Sequence, residues 1–206
     1  MDDCCLQCGR SYVTLIGIFK KGPKFCPMCL KQNIEPIHEL ATDFGKVIYL
    51  HEYSLDTMGQ LVSLKGNGEV AYKDILIPPT TRAMLHKRYK EATFVCMPSS
   101  SEAVEERGFD HLSVLFAGIA REMVFPLYKK VNYKQSSLSL EERQKVSKRL
   151  GVYDEVGSLK SKRIVLVDDV MTTGSTLKGA KEILGLKEVE YLVCLYRPLK
   201  VSNFDE

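Results

Sequence analysis

The sequence predicts an α/β protein, a doubly wound parallel sheet with a small cysteine ribbon set in front of it. Three observations predict it. Short apolar, β-branched runs alternate with helical patterns from residue 46 onward, the order of a parallel sheet with crossover helices. One of those runs, 164–167, leads through two acids into a small hydroxyl-rich loop and then into another helical pattern. Ahead of all this, two Cys-x-x-Cys pairs stand 17 residues apart. A length of 206 residues suits one ordinary domain with an appendage, and the chain divides into a ribbon at 1–38 and an α/β domain at 39–206.

The ribbon comes first. Cys5-Leu-Gln-Cys8 and Cys26-Pro-Met-Cys29 are two knuckles that together offer four thiolates, the closed donor set of structural zinc. Gly9 and Pro27 suit tight turns that aim backbone amides at sulfur, and 11–19 reads as a short hairpin. Cys4 competes with Cys5 for a place in the site, and the two-residue spacing of the other pair favours Cys5. A redox pair is the alternative, disfavoured because there are two such pairs and no βαβ context. Four thiolates leave no open position for a substrate, so zinc here speaks of folding.

After a linker at 35–45, residues 46–53 read as a strand. Asp56 is positioned to cap a helix through 64, which ends at Gly66-Asn67-Gly68. Residues 69–77 and 82–90 read as helices interrupted by Pro78-Pro79, and Lys65 is either an anion contact or a solvated lysine. Residues 93–97 are a buried strand stopped by Pro98 and a Ser99-Ser100-Ser101 turn. A helix is expected over 112–124, a basic strand or loop over 128–134 and a polar helix over 140–150. Residues 177–184 read as helix and 189–196 as a last buried strand.

The stretch 164–176 carries the chemistry. A buried strand is expected to end at Asp168 and Asp169, followed by Thr172-Thr173-Gly174-Ser175-Thr176 and a helix start. Free amides and the helix dipole make such a loop an anion cradle, and the hydroxyls add donors. Two acids beside an anion site would repel a bare phosphate. They suit a ligand that also offers hydroxyls or a bound cation, as a ribose 5-phosphate does.

The stretch resembles the phosphoribosyl pyrophosphate (PRPP) motif of type I phosphoribosyltransferases. That resemblance implies Asp168 and Asp169 on the ribose hydroxyls or metal-bound water, as the catalytic side of an active enzyme. It implies Val170, Met171, Thr172, Thr173, Gly174, Ser175 and Thr176 on the 5-phosphate, with Mg²⁺ accompanying PRPP. Ser99, Ser100 and Arg107 are the candidates for the pyrophosphate side.

A four-cysteine ribbon ahead of such a domain is similar to the ComF competence family and its GntX relatives. The likeness includes Tyr53 and Lys65, the Arg107-Gly108-Phe109 turn and the segment with Lys134, Gln135, Leu138 and Arg143. The chain departs from the family pattern at Cys96-Met97-Pro98 (Pro-Val-Pro), Ala103 (Arg), Asp110-His111 (Asn-Gln) and Val146 (Asn). These departures gather on the expected pyrophosphate side.

The resemblance implies a DNA-uptake protein of natural transformation that handles incoming single-stranded DNA with a ComFA-like helicase or ATPase. Two other functions fit the same loop. One is a phosphoribosyltransferase moving ribose 5-phosphate from PRPP onto a nucleobase or amine. The other is a regulator that senses PRPP.

Composition narrows the partners. Hydrophobic residues at 45% and charged ones at 27% are globular values. No apolar run nears the roughly 18 residues of a membrane span, and the first residues are no signal peptide, so the chain is expected in the cytoplasm. A net charge of +3 does not by itself imply nucleic acid. Residues 129–149 hold seven basic side chains (Lys129, Lys130, Lys134, Arg143, Lys145, Lys148, Arg149) against two glutamates, the one basic concentration. It is either a solvated helix face or a phosphate track, with Tyr128 and Tyr133 as candidate stacking platforms. Cys96 and Cys194, in apolar runs, are expected to be buried and inert.

Overall fold

The computed structural model describes residues 3–12, 25–32, 37–130, 150–153 and 163–198. Its centre is a six-stranded sheet with spatial order β3-β4-β10-β9-β5-β6. The strands are β3 (His38–Thr42), β4 (Gly45–Glu52), β5 (Thr93–Cys96), β6 (Glu122–Val124), β9 (Ile164–Met171) and β10 (Glu190–Tyr196). β4, β10, β9, β5 and β6 run parallel, whereas β3 pairs antiparallel with β4. The chain is thus mixed α/β with a mostly parallel sheet.

The apolar runs become the central strands because they are covered on both faces. Val165, Leu166, Val167 and residues 191–195 are all fully buried, as are Phe94, Val95 and Cys96. Each large apolar side chain so buried contributes about 1.5–3 kcal/mol. Cys96 and Cys194 are buried thiols whose pKa burial pushes up, so they are held as unreactive SH groups.

Several local expectations are corrected. The linker at 35–45 contains β3, a strand whose alternating half-exposed pattern lacks the apolar run of its neighbours. The central strand does not stop at the acids. β9 continues through Asp168 and Asp169 to Met171, because its ladder with β10 pairs Asp168 with Val193 and Met171 with Tyr196.

Ser54 caps α2 (Leu55–Gly66) in place of Asp56, through a reciprocal bond pattern with Thr57. The Glu69 stretch divides into a 3-10 turn, Val70–Tyr72, and α3 (Lys73–Leu76). α4 (Pro79–Tyr89) starts on its proline, where the missing N–H costs nothing. The helix expected over 112–124 is only α6 (His111–Leu115). Gly118 then turns the backbone at φ 71°, and 122–124 form the edge strand β6.

A small antiparallel pair, β7 (Leu127–Lys129) and β8 (Leu150–Val152), stands apart from the main sheet. Leu150 therefore opens a strand instead of closing a helix, and the rest of that expected helix lies outside the described residues. α5 (Ser101–Arg107) follows β5, and α7 (Ser175–Ile183) follows β9. Because β5 and β9 are adjacent and parallel, both following loops open at the same carboxyl end of the sheet, where ligands bind in such folds. No described helix is long and apolar enough to cross a membrane.

The ribbon residues form β1 (Asp3–Cys4), β2 (Ser11–Tyr12) and α1 (Pro27–Gln32). Ser11–Tyr12 pairs back onto Asp3–Cys4, and the rest of the expected hairpin lies outside the described residues. Cys5, Phe25, Cys26 and Cys29 share a small core with Ile75 of α3, and Phe25 meets Tyr72 edge to face at 5.4 Å. The ribbon therefore leans on the α/β part for one wall of its core.

Candidate functional site

Two polar cavities flank Asp168. The first, about 40 Å³, is lined by Asp168, Val170, Met171, Thr172, Thr173, Gly174, Ser175, Thr176 and Leu177. Gly174 caps α7 at φ 71° with no side-chain cap, so the first amides of the helix face the loop. Thr173 and Ser175 exchange a hydroxyl bond at 2.7 Å, which draws the loop into a turn.

What holds the loop is distant in sequence. A Cβ on Gly174 would lie 2.3 Å from the ring of Phe44, in the β3–β4 turn. Phe44 packs edge-on against Tyr191 at 5.0 Å, and Lys178 of α7 pairs with Asp43 while lying over the Phe44 ring. No motif pointed to Phe44.

The second cavity, about 150 Å³, is lined by Lys65, Met97, Pro98, Ser99, Ser100, Ala103, Arg107, His111, Lys129, Asp168 and Asp169. Ser99, Ser100 and Arg107 thus gather on the other side of the acids from the loop. The departures at Met97, Ala103 and His111 all fall here, beside Pro98, which keeps the family pattern. Lys129 joins them from β7, while Lys130 is exposed beyond it. Lys134, Arg143, Lys145, Lys148, Arg149 and Tyr133 lie outside the described residues.

The two acids are unlike each other. Burial would raise Asp169, but a hydrogen bond from His111 Nε2 at 3.1 Å and the charge of Lys65 outweigh it. They hold Asp169 below the usual carboxylate range. Burial and the adjacent Asp169 carboxylate push Asp168 well above that range. Asp168 Oδ1 accepts from the Asp169 amide at 2.9 Å.

His111 is itself placed by Ser99, whose hydroxyl donates to Asp110 Oδ2 at 2.9 Å and lies 3.2 Å from His111 Nδ1. Asp110 also caps α6 through the Leu112 and Ser113 amides. Arg107 Nη1 donates to the Lys65 carbonyl at 3.3 Å. Its Nε and Nη2 are buried and meet no acceptor among the described residues. An unmet buried donor costs about 1–3 kcal/mol, more when charged, and an anion entering this pocket could relieve that cost.

The four cysteines also come together. The Sγ atoms of Cys5, Cys8, Cys26 and Cys29 lie within 4.8 Å of one another, a group that can hold a metal ion. Cys8 and Cys26 are 3.8 Å apart at sulfur. A tetrahedral ion with bonds of about 2.3 Å to sulfur needs sulfurs about 3.8 Å apart. The Cys26 amide donates to Cys5 Sγ at 3.3 Å and the Cys29 amide to Cys26 Sγ at 3.5 Å. Burial raises the Cys5 thiol, yet the amides of Cys26, Cys8 and Gln7 prevail and bring it down to about 6. Cys4 points to Ser11 Oγ and stays outside the group.

A strand carrying two acids near its carboxyl end, a glycine-capped helix after it and a pocket lined by Lys65, Arg107 and Lys129 meet at one edge of the sheet. The family model for the phosphoribosyl transferase domain matches residues 82–200, and the chain belongs to that family. It is 33% identical over 107 residues to Competence protein ComFC of Streptococcus pneumoniae (strain ATCC BAA-255 / R6), across 50% of this chain and 48% of that protein. It is 34% identical over 98 residues to Competence protein ComFC of Bacillus subtilis (strain 168), across 46% of this chain and 39% of that one. The matched stretch thus spans less than half the length of either relative. Among solved structures, a hypoxanthine phosphoribosyltransferase from Staphylococcus aureus aligns at 18% identity over 63% of this chain and 67% of that one, with a TM-score of 0.37. The resemblance to the ComF competence proteins stands on these identities together with the cysteine group.

Proposed function

We propose that the protein is a competence protein of DNA uptake which binds PRPP, or a ribose phosphate, at the carboxyl end of β9. The observation that carries the reading is the Asp168–Asp169 pair set between two donor-rich pockets. The 5-phosphate takes the Thr172-Thr173-Gly174-Ser175-Thr176 loop, with Val170 and Met171 behind it. The ribose hydroxyls face Asp168 and Asp169, and the pyrophosphate takes the Ser99, Ser100 and Arg107 pocket. Mg²⁺ brought with PRPP would supply charge neutralisation there. Asp168 fits it, because its carboxylate lines both cavities and is the acid without a cation on it. The four cysteines hold zinc as a structural ion.

Single-stranded DNA is the macromolecular partner, met by Lys129 and Lys130 and by the basic residues of 131–149, beside a ComFA-like helicase. The relatives named ComFC support the competence role, and the basic run supports the nucleic acid. The test is calorimetric titration of PRPP with Mg²⁺, and separately of single-stranded DNA, into the parent and into Asp168→Asn/Asp169→Asn. Saturable PRPP binding lost in the variant is expected. Absence of PRPP binding in the parent would sink the ligand, and absence of salt-sensitive DNA binding would sink the DNA role.

A second reading, transfer of ribose 5-phosphate from PRPP to a nucleobase or amine, is favoured by the Arg107 pocket. Arg107 and Lys65 set positive charge where departing pyrophosphate accumulates negative charge. Release of pyrophosphate from PRPP in the presence of an acceptor would establish it.

A further inference from the structure

A third cavity, about 700 Å³, opens next to the Arg107 pocket and shares Pro98, Ser99 and Lys129 with it. Its far wall is aromatic. Among the described residues three aromatic side chains are exposed, Phe125 (41%), Tyr128 (37%) and Tyr153 (54%), and all three line this one cavity. Tyr128 and Tyr153 sit ring to ring at 5.0 Å, inclined by 48°. Gly151 of β8 leaves room for the Tyr128 ring, since a Cβ there would lie 2.2 Å from it. The opposite wall, α5, offers Ser101 and Glu105. Exposed rings that share a cleft with a cation pocket are the two halves of a site for a flat ring tied to a phosphate.

We propose that this cleft is a nucleobase-stacking subsite, taking an unpaired base on Tyr128, Tyr153 and Phe125 while the attached phosphate enters the Arg107 pocket. The assignment rests on the Arg107 pocket being an anion site, as proposed above. It goes beyond that reading in placing a second, base-bearing ligand there. The chemistry recognised is a nucleoside phosphate, whether free or at the end of a single strand. Because its phosphate and the pyrophosphate of PRPP need the same donors, the two ligands exclude each other.

The experiment uses the full chain and two probes, adenosine 5′-monophosphate and a short oligodeoxyadenylate single strand, each titrated with and without saturating PRPP. The chain has no tryptophan, so tyrosine emission reports stacking directly. Expected are quenching by a probe, relief of that quenching by PRPP, and affinity weakened about 5- to 100-fold in Tyr153→Leu, which keeps apolar bulk but removes the ring face. PRPP affinity unchanged in Tyr153→Leu shows that the variant is folded, and Arg107→Gln weakens both ligands. If only the oligonucleotide binds, the natural ligand is a strand; if both bind alike, the nucleotide alone is recognised.

Neither probe binding, while PRPP binds, overturns the subsite and leaves the ribose-phosphate reading intact. Nucleotide binding indifferent to Tyr153→Leu overturns the stacking, and nucleotide binding indifferent to PRPP overturns the shared pocket. Failure of PRPP to bind at all is failure of the earlier reading instead.

Discussion

Gly174→Ala is the sharpest perturbation of the loop, and its cost can be worked from two contacts. At φ 71° an alanine sits in left-handed backbone, at about 1–2 kcal/mol. Its Cβ would lie 2.3 Å from Phe44 Cζ and 2.6 Å from Cε1. Carbon contacts settle at about 3.5 Å or more, so the ring must withdraw by about an ångström. It is not free to do so, with Tyr191 against its edge and Lys178 over its face. Overpacking of that kind costs about 1–3 kcal/mol.

The sum, about 2–5 kcal/mol, corresponds to a loss of roughly 4–20 °C in midpoint for a domain of this size. Urea denaturation of the parent, Gly174→Ala, Phe44→Leu and the double variant separates the two contributions. With the ring gone, the clash vanishes and the backbone cost remains, so the double variant loses about 1–3 kcal/mol less than the sum of the singles. Additive singles would show that Phe44 is not what the glycine avoids, and a cost below about 1 kcal/mol for Gly174→Ala would refute both halves of the argument.

Other expectations follow from the site. Asp168 has its pKa pushed up in the folded protein, so its ionisation opposes folding wherever the unfolded chain is already ionised, above about pH 4. Asp168→Asn should therefore raise the midpoint at pH 7 and lose that gain below about pH 4; a variant less stable than the parent at pH 7 would reverse the sign. Asp169 is held low, contributes stability above about pH 4 that fades on acidification, and Asp169→Asn should be destabilising at neutral pH. Arg107→Met removes two buried donors that meet no acceptor among the described residues, so the ligand-free midpoint should rise while affinity for inorganic pyrophosphate falls about 10-fold or more by calorimetry; retained affinity would place the anion elsewhere. Chelation, or Cys26→Ser, should increase hydrogen exchange in Lys73–Leu76 as well as in the ribbon, because Ile75 belongs to the ribbon's core, while Cys4→Ser should change neither metal content nor exchange.

The parts of this molecule that were readable in the sequence are those written in short range. The 164–176 stretch and the two cysteine knuckles announce themselves because each element's partners lie within a few residues. The two-residue spacing alone favours position 5 over position 4, and the sulfurs agree. β3 went unread because its half-exposed residues lack the apolar run that marks a covered strand. The extension of β9 through Asp168 and Asp169 went unread because aspartate is a poor strand former, and only the β10 ladder keeps it extended.

The helix expected past residue 115 shows the opposite failure, a three-and-four spacing that tertiary packing overrode after Gly118. Long-range assembly was the hardest to see. Lys65 reaches Asp169 across 104 residues, and His111, which looked like a mere departure from the family pattern, is the donor that helps keep that acid ionised. The basic stretch gave one of its members, Lys129, to a pocket next to the acids.

The shared wall between the ribbon and α3 bears on how the protein is made. Cys29 emerges from the ribosome 46 residues before Ile75, an interval of a few seconds at about 5–20 residues per second. Until Ile75 and Tyr72 arrive, the ribbon core lacks one of its walls, and three thiols that end up buried are more open to solvent. A metal taken up by these cysteines during translation would therefore compete with their oxidation. The yield of intact protein should accordingly depend on metal supply and redox state while synthesis is under way, more than on either once the chain is complete.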